Sequence, residues 1–203
     1  MSKPSQAGRP RRSSRLMLED AAAELFVENT YAATTIDQIA QRAGVSRNTF
    51  FNYFTAKSDL LWVELDAAIE RLTDELSRTS PELPALAAVR TATITVVSDI
   101  GVDRVPLALT QDDVMGTREE TRSSGLLRLA RRADVIGAFL AERTGRSSGD
   151  LVVLVSANAL SGAIAAAWTT WAADGIGRGQ LVDYVERALA LVTEGLASEL
   201  PGP

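Results

Sequence analysis

The chain has 203 residues, 46% of them hydrophobic and 23% charged, and it contains neither cysteine nor histidine. Those two absences exclude a disulfide framework, a thiolate or imidazole metal site, a cysteine nucleophile and a Ser-His-Asp triad. The net charge of −5 is unevenly placed: residues 1–60 hold eight Lys/Arg against six Asp/Glu, and the remainder holds thirteen against twenty. A basic front and an acidic back suit one end, and only one, to a polyanion.

Residues 1–14 are polar, carry Pro4, Gly8 and Pro10, and include Lys3, Arg9, Arg11 and Arg12. This composition predicts a disordered basic arm. No apolar run follows these charges as it does in a signal peptide, so a cytoplasmic protein is expected. From Ser14 the pattern becomes helical, with Leu18, Ala22, Leu25 and Phe26 spaced by three and four, and it stops near Asn29 and Thr30. Thr35, with Gln38 three residues on, reads as a capping box that opens a second helix bearing Ile36, Ile39 and Ala40. Gly44 stops that helix, and Ser46 caps a third, short one running to about Phe54. Two helices joined by a short glycine-containing turn, behind a longer helix, make a helix-turn-helix. The second of such a pair enters the DNA major groove.

After Lys57 a long helix is predicted over 58–77, with Leu61, Leu65, Ala68, Ile69 and Leu72 on one side and Pro81 and Pro84 beyond its end. Further helices are predicted over 85–100, 106–114, 119–144, 149–173 and 178–199, separated by glycines. No strand pattern competes, and no internal repeat is visible. Leu151–Ala173 is uncharged and long enough to span a bilayer. Its Ala, Ser and Thr content, with Asn158 and Gly162 near the centre, reads instead as a buried helix, and no membrane partner is expected. On the last helix Val182, Val185, Leu189, Val192 and Leu196 step by 3, 4, 3, 4; on the one before it Ser156, Ala159, Ala163, Ala166, Thr170 and Ala173 do much the same. A heptad seam beside a small-residue seam suits a four-helix bundle formed by two subunits.

The residues from Tyr31 to Lys57, followed by Ser58-Asp59-Leu60-Leu61, resemble the DNA-binding region of TetR-family transcriptional regulators. Phe26, Thr35, Ile39-Ala40, Gly44-Val45-Ser46, Thr49, Phe54 and Lys57 fall in register over residues 15–61. The resemblance implies an all-α protein: a three-helix helix-turn-helix domain over 15–60, then a helical effector-binding and dimerisation domain over 61–203. It implies double-stranded operator DNA with an inverted repeat, a small-molecule effector and a second copy of the chain as partners. No cofactor or metal is implied.

The expected DNA contacts are Thr35, Ser46, Arg47, Asn48, Thr49, Asn52, Tyr53 and Lys57. Arg pairs with guanine and Asn with adenine in the major groove, while hydroxyls, a phenol and an ammonium suit phosphates. Phe50 and Phe54 are expected to face a small core with Ile39 and Phe26. Four positions depart from the family pattern: Thr30 stands where Gly is usual, so Asn29 is expected to take the left-handed turn. Asn48 replaces a small residue, Phe51 replaces a phosphate-binding Tyr for which Tyr53 is expected to compensate, and Thr55-Ala56 lacks a Pro.

Phe50-Phe51 with Tyr53-Phe54, Leu61-Trp62 with Asp66, and Leu126-Leu127-Arg128 with Phe139 are similar to a branch of the family that responds to long-chain acyl-CoA, the branch of the mycofactocin-system regulator. That resemblance makes Arg90, Arg122 and Arg128 candidates for an anionic head group, and Trp62, Trp168 and Trp171 candidates for an apolar wall. A regulator controlled only by abundance or a protein partner would instead have a filled C-terminal core. Enzymatic carboxylate pairs, Asp112-Asp113 or Glu119-Glu120, are adjacent in sequence and point to different sides of a helix, so no enzyme is expected.

Overall fold

Helix α1 (Arg11–Asn29) begins three residues earlier than its apolar pattern does, so part of the expected arm is helical. The computed structural model describes residues 11–110 and 117–196; the remainder of the arm, residues 1–10, lies outside them. Helix α2 (Ile36–Arg42) and helix α3 (Arg47–Phe51) follow, and these three make the head. The Thr35 hydroxyl accepts from the Gln38 amide at 3.2 Å, and the Gln38 side chain accepts from the Thr35 amide at 2.8 Å, completing the capping box. Gly44 takes φ +66°, the left-handed conformation that ends α2. Leu18, Phe26, Ile39, Phe50 and Phe54 are buried together, as the spacing predicts.

The end of α1 corrects an expectation. Thr30, not Asn29, carries the positive φ, at +68°. A β-branched residue there places Cβ against its own carbonyl, a cost of about 1–2 kcal/mol. Thr30→Gly is expected to raise the stability of the chain by about 1 kcal/mol, after allowance for the flexibility Gly adds to the unfolded chain. Thermal unfolding of the two proteins side by side measures this.

The predicted helix over 58–77 is two elements: a 3-10 turn, Lys57–Leu61, and α4 (Val63–Ser77). The break is at Trp62, whose indole N–H donates to Ser124 Oγ at 2.8 Å inside the protein. Helix α5 (Ala85–Ser98) and a single-turn α6 (Leu107–Thr110) come next. Residues 111–116, which include the rest of the predicted 106–114 helix, Asp112-Asp113 and Gly116, lie outside the described residues. Helices α7 (Arg118–Thr144), α8 (Leu151–Ala173) and α9 (Leu181–Leu196) complete the fold, with 197–203 outside the described residues.

Helix α8 packs against both α7 and α9, while α5 packs on α4, α7 and α9. Although α8 is long and apolar enough to cross a membrane, its Val153, Leu160, Ile164, Trp168 and Trp171 are buried in this core. The predicted dimer seam is split by the structure. Val185 and Leu189 are both 0% exposed within one chain, and Val182, Val192 and Leu196 pack half-buried against the same core. A heptad row on an amphipathic helix serves its own domain first. The small-residue row stays open: Ala159 and Ala163 are half-buried, while Ala166 and Thr170 are exposed. Leu154 and Val155 on α8 and Leu191 on α9 are also exposed.

Candidate nucleic-acid interface and the cavity behind it

Ser46 caps α3 by accepting from the Thr49 amide at 3.0 Å, and its hydroxyl also pairs with Thr49 Oγ1 at 2.9 Å. The cap fixes the start of the helix and leaves Arg47, Asn48 and Asn52 exposed. Asn52 is the C-cap residue, so α3 ends three residues earlier than predicted. Thr35 is exposed at the N-terminus of α2. Arg47 Nη1 donates to Asp37 Oδ2 at 2.8 Å across the turn, and its guanidinium lies 5.5 Å from the centre of the exposed Phe51 ring. Both partners of that ion pair are exposed, so it holds the side chain only weakly. Arg42 fastens α2 to α1 by donating to Glu24 at 2.9 Å and to Glu28 at 2.8 Å.

Two expected phosphate ligands are placed differently. Lys57 Nζ donates to the backbone carbonyls of Tyr31 and Thr34, both at 2.7 Å, and sits 4.0 Å from the centre of the Tyr31 ring. Burial pushes this ammonium below the ordinary lysine range, opposed by the charge of Glu120. Lys57 therefore ties the loop after α1 to the 3-10 turn, with its side chain half-buried. Tyr53 is half-buried against the core and lines a cleft between the head and α7, rather than the exposed face of α3. Position along a chain shows that a residue is near the head but not which way its side chain turns.

Behind α3 the loop is held by one carboxylate. Asp59 Oδ2 accepts from the amides of Thr55 at 2.8 Å and Ala56 at 3.0 Å and from the Thr55 hydroxyl at 2.8 Å. Its Oδ1 accepts from Arg128 Nη2 at 3.1 Å. Arg128 also grips Asp66 on α4 with two bonds, Nε to Oδ1 at 2.9 Å and Nη2 to Oδ2 at 2.7 Å. Burial works to raise the Asp59 pKa, but the Ala56, Thr55 and Arg128 donors outweigh it and hold the carboxyl below its ordinary value. Burial wins at Asp66, which is raised in spite of Arg128. The clamp thus joins the loop after α3, the start of α4 and the middle of α7 through one buried guanidinium.

One turn along α7 is a cavity of about 210 Å³, lined by Trp62, Leu65, Leu109, Arg122, Leu126, Leu129, Arg132 and Trp168, among others. Gly125 on its wall permits the close approach of the Trp62 ring: a Cβ there would lie 3.2 Å from that ring. Of the ligand candidates, Trp62, Arg122 and Trp168 meet at this cavity. The other three do not. Arg90 is exposed and paired with Glu186 at 3.0 Å, and Trp171 is buried with its N–H on the Gly179 carbonyl. Arg128 faces away, into its carboxylate clamp, and no charge is left over for a head group.

Residues 18–62 match the bacterial regulatory proteins of the tetR family, and residues 83–197, more than half of the chain, match the MftR C-terminal domain. The chain belongs to the TetR family of transcriptional regulators. TetR-family regulators bind DNA, and the matching family and relatives are transcriptional regulators, not enzymes. A Mycobacterium tuberculosis protein named for transcriptional regulation of mycofactocin biosynthesis is 24% identical over 84% of this chain and 85% of its own. Thermus thermophilus FadR, a TetR-family repressor crystallised with lauroyl-CoA, superposes with a TM-score of 0.56 at 26% identity, over 89% of this chain and 94% of that one. Bacillus subtilis FadR, crystallised with stearoyl-CoA, shares the fold with a TM-score of 0.55 at 24% identity, over 89% and 98% of the two chains.

Of the two arginines that line the cavity in this TetR-family chain, Arg122 was a ligand candidate from sequence and Arg132 was not. Ser124, Arg128, Arg132, Ile136 and Leu140 step by four along α7, and all five are buried. Ile136 and Leu140 mark that row as inward-facing, so the two arginines continuing it had to be buried too. That signal was legible and outranks the general rule that arginines on amphipathic helices lie at the surface.

Proposed function

We propose that this TetR-family regulator is a homodimeric repressor, acting in the cytoplasm, that grips an inverted-repeat operator and is released by an apolar acyl effector of the acyl-CoA class. The observation that carries the reading is the Arg128 clamp. Gly125, Leu126, Leu129 and Arg132 of α7 line the cavity, while Arg128 of the same helix holds Asp59, and Asp59 holds the loop directly after the reading helix. A ligand that displaces α7 moves that loop, and a small movement re-aims the head. The cavity itself favours an effector over control by abundance alone, which predicted a filled core. The resemblance to a FadR that binds lauroyl-CoA supplies the effector class.

Dimerisation is supported by the open face of Leu154, Val155, Ala166, Thr170 and Leu191 on α8 and α9. Two heads on successive major-groove turns, about 34–36 Å apart, would occlude a promoter. The test has two steps. Genomic fragments bound by the purified protein are sequenced to recover the operator, and its affinity is then measured by fluorescence anisotropy with and without lauroyl-CoA. A recovered inverted repeat whose affinity falls on addition of the thioester supports the proposal; operator binding indifferent to acyl-CoA overturns its effector half. On the same operator, Arg47→Ala is expected to cost about 1–3 kcal/mol of discrimination against a mutated guanine half-site. Equal loss on operator and random DNA would remove Arg47 from base reading.

A further inference from the structure

Arg132 is 4% exposed, and no carboxylate pairs with it among the described residues. Its Nε donates to Ser161 Oγ at 3.2 Å and its Nη2 to the Ser161 carbonyl at 2.8 Å, and Ser161 Oγ passes the bond on to the Leu129 carbonyl at 2.9 Å. No acceptor for Nη1 is found among the described residues. Neutral acceptors leave the positive charge uncompensated, and burial pushes this guanidinium down to about 10, still protonated at neutral pH. Arg128, one turn away on the same row, shows the ordinary solution, with two carboxylates around it. A buried guanidinium left without one is costly to keep.

Its position is equally specific. Leu65, Arg132 and Trp168 line both the cavity of about 210 Å³ and a second, water-sized space of about 20 Å³. That inner space is walled mainly by Ile69, Leu72, Val96, Val97 and Ile164, and its polar lining residues are Arg132 and Thr93, whose hydroxyl is turned onto the Val89 carbonyl. The charge therefore stands at the neck between an outer chamber and an apolar inner one.

We propose that Arg132 is the anion subsite of this cavity and that the chain binds free aliphatic carboxylic acids there, with the carboxylate on the Arg132 guanidinium and the hydrocarbon tail in the apolar walls. This rests only on the part of the reading above that makes the cavity an effector site, and it names a different ligand class: an uncoupled acid, which requires no coenzyme. A carboxylate completes the charge at Arg132 and accepts from Nη1. An alcohol of the same chain length does neither, and a thioester oxygen supplies no charge.

Isothermal titration of the purified full chain with decanoate, decan-1-ol and decanoyl-CoA tests this. Decanoate is expected to bind at least ten-fold more tightly than decan-1-ol. Arg132→Met is expected to abolish that preference while leaving decan-1-ol binding equal or stronger. Removing a lone buried charge favours folding, so this variant is expected to stay folded; the comparison on the unmodified chain stands without it. Equal affinity for acid and alcohol, or an acid preference surviving Arg132→Met, overturns the proposal. If decanoyl-CoA binds and releases operator DNA while decanoate does not bind, the inference fails and the acyl-CoA reading stands. If decanoate binds and the thioester does not, the acyl-CoA reading fails alone.

Discussion

Arg128→Met is expected to destabilise the chain by about 3–5 kcal/mol, the cost of leaving two buried carboxylates facing a thioether. Asp59 and Asp66 are both mostly buried where Arg128 meets them. Replacing all three groups with neutral ones, as Arg128→Met with Asp59→Asn and Asp66→Asn, is expected to recover most of that loss, because a buried ion cluster is costly to break but contributes little net stability when whole. Urea unfolding of the single and triple variants measures both. Function separates them differently. The triple variant folds but has lost the bond from α7 to the loop after α3, so its operator affinity is expected to be insensitive to effector. Affinity that still responded to lauroyl-CoA would mean the signal reaches the head by another route, such as Trp62 on Ser124.

Sequence and structure agree at most features encoded within one turn of chain; the left-handed Thr30 and the early end of α3 are exceptions. The Thr35–Gln38 capping box, the left-handed Gly44, the Ser46 cap and the pairing of Phe50 with Phe54 depend on neighbours three or four residues away. The larger disagreements depend on distant partners. Lys57 reads as a phosphate ligand until the carbonyls of Tyr31 and Thr34, 26 and 23 residues upstream, are placed beside it. The break in the long helix falls at Trp62, whose indole is tied to Ser124, 62 residues away. Val185 and Leu189 have the spacing of an intersubunit seam, but spacing names a buried face without saying which chain buries it. Arg132 is the intermediate case: its row on α7 was legible, yet its lack of a carboxylate is a fact of the packed core alone.

Lys57 yields the second large effect. Lys57→Met is expected to cost about 2 kcal/mol of stability, since it removes two charge-assisted bonds and leaves the Tyr31 carbonyl with the Thr34 amide alone, at 3.2 Å. Operator affinity is expected to fall with the integrity of the head, but its dependence on salt is not. A lysine on a phosphate releases a counterion on binding, so losing it would lower the slope of log K against log salt by about one. A lysine that spends its charge on Tyr31 and Thr34 releases none. Anisotropy titrations of the unmodified chain and Lys57→Met from low to physiological salt decide between the two. Parallel lines, offset vertically, place Lys57 inside the head as a tie between the α1 loop and the 3-10 turn. A slope shallower by one would mean that the ammonium leaves its carbonyls for the backbone of DNA, and that the head reorganises when it binds.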